Sequence, residues 1–374
     1  MIYKKFQDKA LSALGLGCMR LPTNEDGSVD VEATREMVDT AMREGINYYD
    51  TAWGYHGGQS EPVMGEILGN YPRDSFYLAS KFPGYDLSNM DKVEEIFEAQ
   101  LKRCRVDYFD FYLVHNVCEL NIDQYLDPQY RIREYLLEQK KNGRIRHLGF
   151  SAHGTIPTMK RFLDVYGPDM EFCQIQLNWL DWDLQDAKTK VELLRERHLP
   201  IWVMEPVRGG KLAQLEPTYA QRLATLRPDW TPARWAFRFL QSIDDVVVTL
   251  SGMSNLAQLQ ENCETYRAAA TLTEEETATL LSVAREMTAQ KTLPCTSCRY
   301  CTSYCPMGLD IPYLIGLYNE HTYSGGGFLA PMAVGALAED KRPTACLGCR
   351  ACEAVCPQNI RISEMMTDFA GKLQ

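Results

Sequence analysis

The chain has 374 residues, 45% of them hydrophobic and 24% charged, with a formal net charge of −11. That length exceeds what one comfortable core needs, so one large domain and one small domain are expected. From Lys291 onward seven bases face seven acids, so the acidic excess lies in the first 290 residues, which argues against nucleic acid or anionic membrane as the main partner.

The opening segment "MIYKKFQDKALSALGLG" has no apolar run long enough for a signal peptide, and no stretch reaches transmembrane length. A cytoplasmic location with reduced thiols is therefore expected. A strand is expected over Ala13–Met19, then a helix over Val31–Gly45 that its glycine ends. "INYYDTA" and "FYLASKF" follow as strands, each leading into a helix, near Glu61–Leu68 and over Lys92–Cys104. "FDFYLVHN", "RHLGFSAH" and "FCQIQLNW" continue the series, with helices over Asp127–Lys141, near Thr158–Val165 and over Leu184–Arg197. "PIWVMEPV" and "DVVVTLSGM" close it, with helices over Pro232–Ser242 and Leu256–Ala268.

Eight nearly all-apolar strands, each followed by a helix, suit a parallel sheet covered on its outer face. Eight units in about 250 residues is the size of a (β/α)8 barrel. A doubly wound open sheet is the alternative, but "GLGCMR" lacks the third glycine of a dinucleotide fingerprint and opens no helix. The barrel is placed at residues 1–272, a connecting helix at 273–290 and a cysteine-rich domain at 291–374. Between the cysteine sets lie a helical "IPYLIGLYNE" and a triple glycine, read as a flexible link.

In such barrels the chemistry sits at the carboxyl ends of the strands. Those ends carry Asp50 and Tyr55 after the second strand, Lys81 on the third and His115 on the fourth. Each alone has a plain structural reading; together they make a proton-transfer site. A phenol is a poor acid at neutral pH unless a neighbouring ammonium stabilises its phenolate. Lys81, held by Asp50, is expected to do so, with Tyr55 protonating a carbonyl oxygen that His115 orients. Trp53, Trp179 and Trp182 near strand ends are candidates for lining an apolar, aromatic-accepting pocket.

"CTSCRYCTSYCP" and "CLGCRACEAVCP" each follow C-x2-C-x2-C-x3-C-P. In two-cluster ferredoxins three cysteines of such a run serve one cubane and the fourth serves the other. One [4Fe-4S] cluster is thus expected on Cys295, Cys298, Cys301 and Cys356, the other on Cys346, Cys349, Cys352 and Cys305. A pair of zinc sites is the alternative, but it needs no trailing proline. The long insert between the two sets makes this domain similar to the helical two-cluster ferredoxin domains of respiratory iron–sulfur subunits. Cys18, Cys104, Cys118, Cys173 and Cys263 are read as buried free thiols.

"DTAWGYHGGQSE", "LASKF" and "YLVHN" resemble the signature segments of the aldo-keto reductase superfamily, and the resemblance runs over roughly residues 1–270. It implies that Asp50, Tyr55, Lys81 and His115 are the catalytic tetrad. It also places a nicotinamide dinucleotide. Ser151 and Gln174 fall where the family holds the nicotinamide amide, although Ala152 replaces the usual Asn. Met204 stands where an aromatic normally stacks on the ring, and Pro206, Val207, Gly209 and Gly210 match the segment around the pyrophosphate. Met19, Gly252, Ser254, Gln258, Glu261 and Asn262 complete the set, the last two as the adenine-side pair. NADP-preferring relatives carry Lys and Arg near Gly252 and Gln258, so a 2′-phosphate loses its strongest contacts here. NAD(H) or NADP(H) is implied, with preference for the latter in doubt.

Three functional readings remain open. The first is an NAD(P)H-dependent reductase of a small carbonyl substrate whose clusters are structural or help dock a partner. The second passes electrons from a redox protein through the clusters to a substrate or another cofactor in the barrel. The third is a sensing or docking protein without turnover.

Overall fold

Two short strands precede the first expected one. β1 (Tyr3–Phe6) and β2 (Lys9–Ser12) form an antiparallel hairpin whose turn places Gln7 at φ +52°. Then β3 (Leu14–Gly17), β4 (Tyr48–Asp50), β5 (Tyr77–Phe82), β6 (Phe109–Val117), β7 (Ile145–Ala152), β8 (Cys173–Gln176), β9 (Ile201–Met204) and β10 (Val246–Ser251) pair in parallel, and β10 closes on β3. The result is an eight-stranded parallel barrel wrapped in helices. The computed structural model describes residues 1–289 and 291–373; Gln290, the end of the expected connecting helix, and the terminal Gln374 lie outside the described residues. It divides into Met1–Leu280 and Leu281–Gln374.

Helices follow the strands as the pattern requires: α1 (Val31–Arg43), α2 (Ser60–Leu68), α3 (Val93–Cys104), α4 (Ile122–Leu126), α5 (Ile132–Lys141), α6 (Ile156–Tyr166), α7 (Asp181–Leu184) and α8 (Ala187–Glu196). α9 (Pro217–Ala224), α10 (Pro232–Gln241), α11 (Leu256–Thr265) and α12 (Glu274–Ala289) complete the first series. Local chemistry sets their ends. Asp30 caps α1 by accepting from Ala33 N, and Met37, Val38 and Ala41 give it a buried stripe. The helix expected from Asp127 begins only at Ile132. Asp127 instead caps a single 3-10 turn at Pro128–Tyr130, and Arg131 turns left-handed at φ +53°.

The hairpin floors the barrel. Lys4 Nζ donates to Val246 O at the start of β10 (2.7 Å), and Phe6 meets Trp202 edge-on at 5.1 Å. Phe6, Tyr48, Phe111, Phe172, Trp202 and Val248 form one buried cluster there. A Cβ on Gly15 would come within 2.8 Å of Leu250 Cδ2, so a side chain there would have to displace Leu250.

The second unit contains α13 (Ile311–Ser324), α14 (Leu329–Gly335) and α15 (Ile362–Lys372). The triple glycine, read as a flexible link, ends α13, with φ +69°, +101° and +114° at Gly325, Gly326 and Gly327, and α14 follows it. Leu309, Ile311, Leu314, Ile315, Met366 and Phe369 make its core, which also takes in Cys301 and Cys352. Among the described residues no helix is long and apolar enough to cross a membrane.

Candidate functional site

Asp50 ends β4, Lys81 lies near the end of β5, and Tyr55 follows on a turn. His115 sits where the β6–β7 register shifts between Val114 and Val117, next to Asn116 at φ +57°. That irregularity re-aims side chains at the strand's end. The four converge. Lys81 Nζ donates to Asp50 Oδ1 at 2.6 Å, to Thr51 O at 2.7 Å and to Tyr55 Oη at 3.3 Å. The Tyr55 and His115 rings meet edge-on, 6.3 Å between centroids.

Burial governs the proton chemistry here. It pushes the Tyr55 phenol up to about 12, against the opposing pull of Lys81. The lowered phenol expected from the Lys81 neighbour is therefore not what the site has, because desolvation outweighs the ammonium. Burial would lower Lys81, but Asp50 and Tyr55 more than offset it and hold the ammonium charged. Burial also raises the Asp50 carboxyl against Lys81. His115 is driven well below its ordinary value, first by burial and then by Lys81, so it is neutral, and among the described residues its Nδ1 has no hydrogen-bond partner.

Support comes from behind. Gln100 Nε2 donates to Lys81 O (3.0 Å), Ser80 Oγ (2.9 Å) and Glu61 Oε1 (2.7 Å). Arg103 reaches the buried Glu61 at 3.4 Å and lays its guanidinium 3.7 Å over the Trp53 ring. Trp53 is thus held on the loop that carries Tyr55. Trp179 is wholly buried and Trp182 packs edge-on against Phe239 at 5.5 Å, so these two contribute packing.

The dinucleotide candidates divide into two groups. Ser151 and Gln174 are paired neighbours on β7 and β8. Gln174 is buried with Oε1 unpartnered, as a residue awaiting an amide donor would be. Ser151 Oγ accepts from Asn116 N (2.8 Å). Met204, at the end of β9, and Val207 beyond it are half-buried and Pro206 is buried, while Gly209 and Gly210 take φ +62° and +93°, with open space around Gly210. The adenine-side set is occupied differently. Glu261 hydrogen-bonds Thr231 Oγ1 at the cap of α10, and Asn262 Nδ2 donates to Ser251 Oγ (3.2 Å). Gln258 Oε1 accepts from Ser254 N (2.8 Å), and Met19 is exposed.

Arg20 escaped the sequence reading. Its stem would lie 3.1–3.4 Å from a Cβ on Gly252, and its Nη2 3.3 Å from one on Gly209. A guanidinium thus stands between the Gly209 and Gly252 segments, in room that Gly252 leaves. Tyr85 was also missed: it meets His115 edge-on at 5.3 Å, and its hydroxyl would lie 2.3 Å from a Cβ on Gly54. Nothing local in the sequence marks either residue.

In the second unit one recess is lined by Cys295, Cys298, Cys301 and Cys356 with Pro357. Another is lined by Cys305, Cys346, Cys349 and Cys352 with Pro306. The fourth cysteine of each motif has crossed to the other set. Among the described residues no three His, Cys, Asp or Glu side chains are placed to hold a single metal ion. Two recesses, each walled by four thiols, match the two four-cysteine ligand sets that the motif spacing implies. The five remaining cysteines are buried and free.

A sequence model described as the Aldo/keto reductase family matches residues 13–285, and one described as a 4Fe-4S dicluster domain matches 294–360. The chain is 26% identical over 308 residues to the uncharacterized oxidoreductase YqkF of Bacillus subtilis, covering 74% of this chain and 93% of that one. It is 24% identical over 300 residues to an NADH-specific methylglyoxal reductase of Escherichia coli, covering 68% and 90%. The holo form of aldo-keto reductase AKR11C1 from Bacillus halodurans superposes with a TM-score of 0.62 at 25% identity, covering 76% of this chain and 96% of that one. An aldo-keto reductase from Klebsiella pneumoniae in complex with NADPH shares the fold, with a TM-score of 0.58, at 20% identity and 76% and 96% coverage.

Proposed function

The chain belongs to the aldo/keto reductase family of oxidoreductases and carries a 4Fe-4S domain, and from that premise we propose that it reduces a small carbonyl substrate with NAD(P)H, Tyr55 being the proton donor. The observation that carries this reading is Lys81, wholly buried and bonded at once to Asp50 and to Tyr55 Oη. A phenol raised to about 12 keeps its proton at neutral pH and so has one to give. Its acceptor is the oxygen of a carbonyl turning into an alkoxide, a stronger base than phenolate. Lys81, fixed by Asp50, stabilises the phenolate left behind, and neutral His115 can donate one hydrogen bond to the same oxygen. A bound nicotinamide supplies the hydride to the carbonyl carbon.

Gln174 and Ser151 are the residues to hold its amide, and Gly209, Gly210 and Arg20 to face its phosphates. Gln258 is engaged with Ser254 N and offers no cation, so NADH is expected to serve at least as well as NADPH. The name of the methylglyoxal reductase relative supports a small carbonyl as substrate. The second unit is the one to hold two [4Fe-4S] clusters, which carry single electrons when bound. Cys298 and Cys349 at the recess edges are exposed, as exchange with a redox protein requires.

Cluster-loaded protein should bind and oxidise NADH or NADPH in the presence of small aldehydes or ketones. Tyr55→Phe should lower kcat/KM about 10²–10⁴-fold while leaving dinucleotide binding intact. Turnover surviving in Tyr55→Phe removes Tyr55 as donor; failure to bind either dinucleotide removes the reading.

A further inference from the structure

The turn that carries Tyr55 is conformationally unusual. His56, Gly57 and Gly58 follow it with φ +52°, +63° and +89°. Two glycines accept that backbone freely, whereas a histidine does not, so something must hold His56 there. Its ring does so: Nε2 accepts a hydrogen bond from the backbone N–H of Leu21 at 3.0 Å. Leu21 lies in the connection from β3 to α1, directly after Met19 and Arg20. Two further bonds join the same pieces of chain. Gln59 Oε1 accepts from Val29 N (3.0 Å), and Ser60 Oγ donates to Cys18 O (3.0 Å). Ser254 Oγ, after β10, in turn donates to Arg20 O at 3.0 Å.

We propose that His56 is a positioning residue: its neutral imidazole latches the Tyr55 turn to the Met19–Leu21 segment, setting the proton donor and the nucleotide-side edge in one register. The latch works in one protonation state. An acceptor Nε2 puts the ring proton on Nδ1, and a second proton on Nε2 leaves two facing N–H groups and no bond. Of the three side chains that tie the two segments, His56 alone titrates near neutrality. Burial lowers its pKa from the ordinary value. The charged and titratable groups on the surrounding elements do not add to that shift: Arg20 and Asp30 on the β3–α1 connection, Asp50 and Lys81 at the strand ends, Tyr55 and Glu61 beside the turn, and Arg103 on α3. The open turn therefore takes up a proton more readily than the latched one. Latching is at full strength above about pH 6.5 and weakens as pH falls from there towards the lowered value.

This inference rests on Tyr55 as the proton donor for its kinetic consequence but not for its structural one. The test uses the full, cluster-loaded chain, with cluster absorbance followed at every pH. Hydrogen exchange of the peptide spanning residues 18–24 is compared for wild type, His56→Gln and His56→Leu at pH 7.5 and 5.5, corrected for intrinsic exchange. Glutamine keeps an acceptor near the Nε2 position without titrating. Wild type should protect the Leu21 amide at pH 7.5 and protect it less at 5.5. His56→Gln should protect it at both and His56→Leu at neither. With methylglyoxal as probe, His56→Leu should lose at least tenfold in kcat at pH 7.5, and His56→Gln should recover most of it. The acid limb of kcat/KM, present in wild type, should be missing from His56→Gln. Exchange in His56→Leu identical to wild type, or an unchanged acid limb in His56→Gln, overturns the proposal. If wild type reduces no carbonyl but exchange follows the pattern, the carbonyl-reductase reading fails and the latch stands.

Discussion

The two units of this chain place chemistry in opposite settings. In the barrel, Asp50 and Lys81 are buried against a core that runs from Phe6 at the floor to Gln100 behind Lys81. In the helical unit the core is small, and two of the eight motif cysteines, Cys301 and Cys352, belong to it. The barrel packs its candidate site against its own core, whereas the core of the helical unit includes two of the candidate cluster ligands. A domain of fewer than about 100 residues buries too little surface to spare such contributions.

The largest effect that would break this contrast is cluster removal. Chelation under reducing conditions, or Cys301→Ser with Cys352→Ser, should cost the helical unit its cooperative unfolding transition, since metal-binding energy is folding energy in small metal domains. Calorimetry should still show the barrel transition near its original temperature. A helical unit that melts cooperatively without clusters would falsify the contrast.

Next comes Phe6→Ala, which opens a cavity among Phe111, Phe172 and Trp202. It should destabilise the barrel by about 3–5 kcal/mol in denaturant titrations. A loss below about 1 kcal/mol would mean that the hairpin is an ornament on a barrel already closed.

The smallest effect is electrostatic. Burial pushes the Glu171 carboxyl up, but hydrogen bonds from His147, Lys140, Gln7 and Leu148 N outweigh it and hold the group down to about 2. A carboxylate depressed in the folded state stabilises the fold above its ordinary value near 4.5 and loses that contribution as pH falls towards 2. Glu171→Gln should therefore lower barrel stability by about 1–3 kcal/mol at pH 7 and narrow the gap to wild type near pH 3. A gap that does not change with pH would assign Glu171 a packing role alone.

The strand–helix alternation, and with it the barrel, was legible because buried parallel strands must be apolar throughout and their helices must carry one apolar stripe. The cysteine motifs were legible because ligand spacing is a local property of the chain. The hairpin at Tyr3–Ser12 was not, since strands of four residues with lysines leave no periodic signal. α14 was hidden by the glycines before it, which read as a link but serve as the end of α13.

At the site, strand ends made Asp50, Tyr55, Lys81 and His115 identifiable from residue type and position. Their proton affinities were another matter: Lys81 beside Tyr55 suggested a lowered phenol, yet burial raises it to about 12. Desolvation depends on everything packed around a group, and that is not written next to it in the chain. The same holds for Arg20, which reaches Gly209 and Gly252 across about 190 and 230 residues of sequence, and for His56, whose partner Leu21 lies 35 residues away. Sequence by itself determined the fold class, the tetrad's residue types and the cysteine spacing, because these follow from local pattern. Tertiary structure alone decided which groups keep their protons and what latches the Tyr55 turn, because each depends on distance and burial set by the closed barrel.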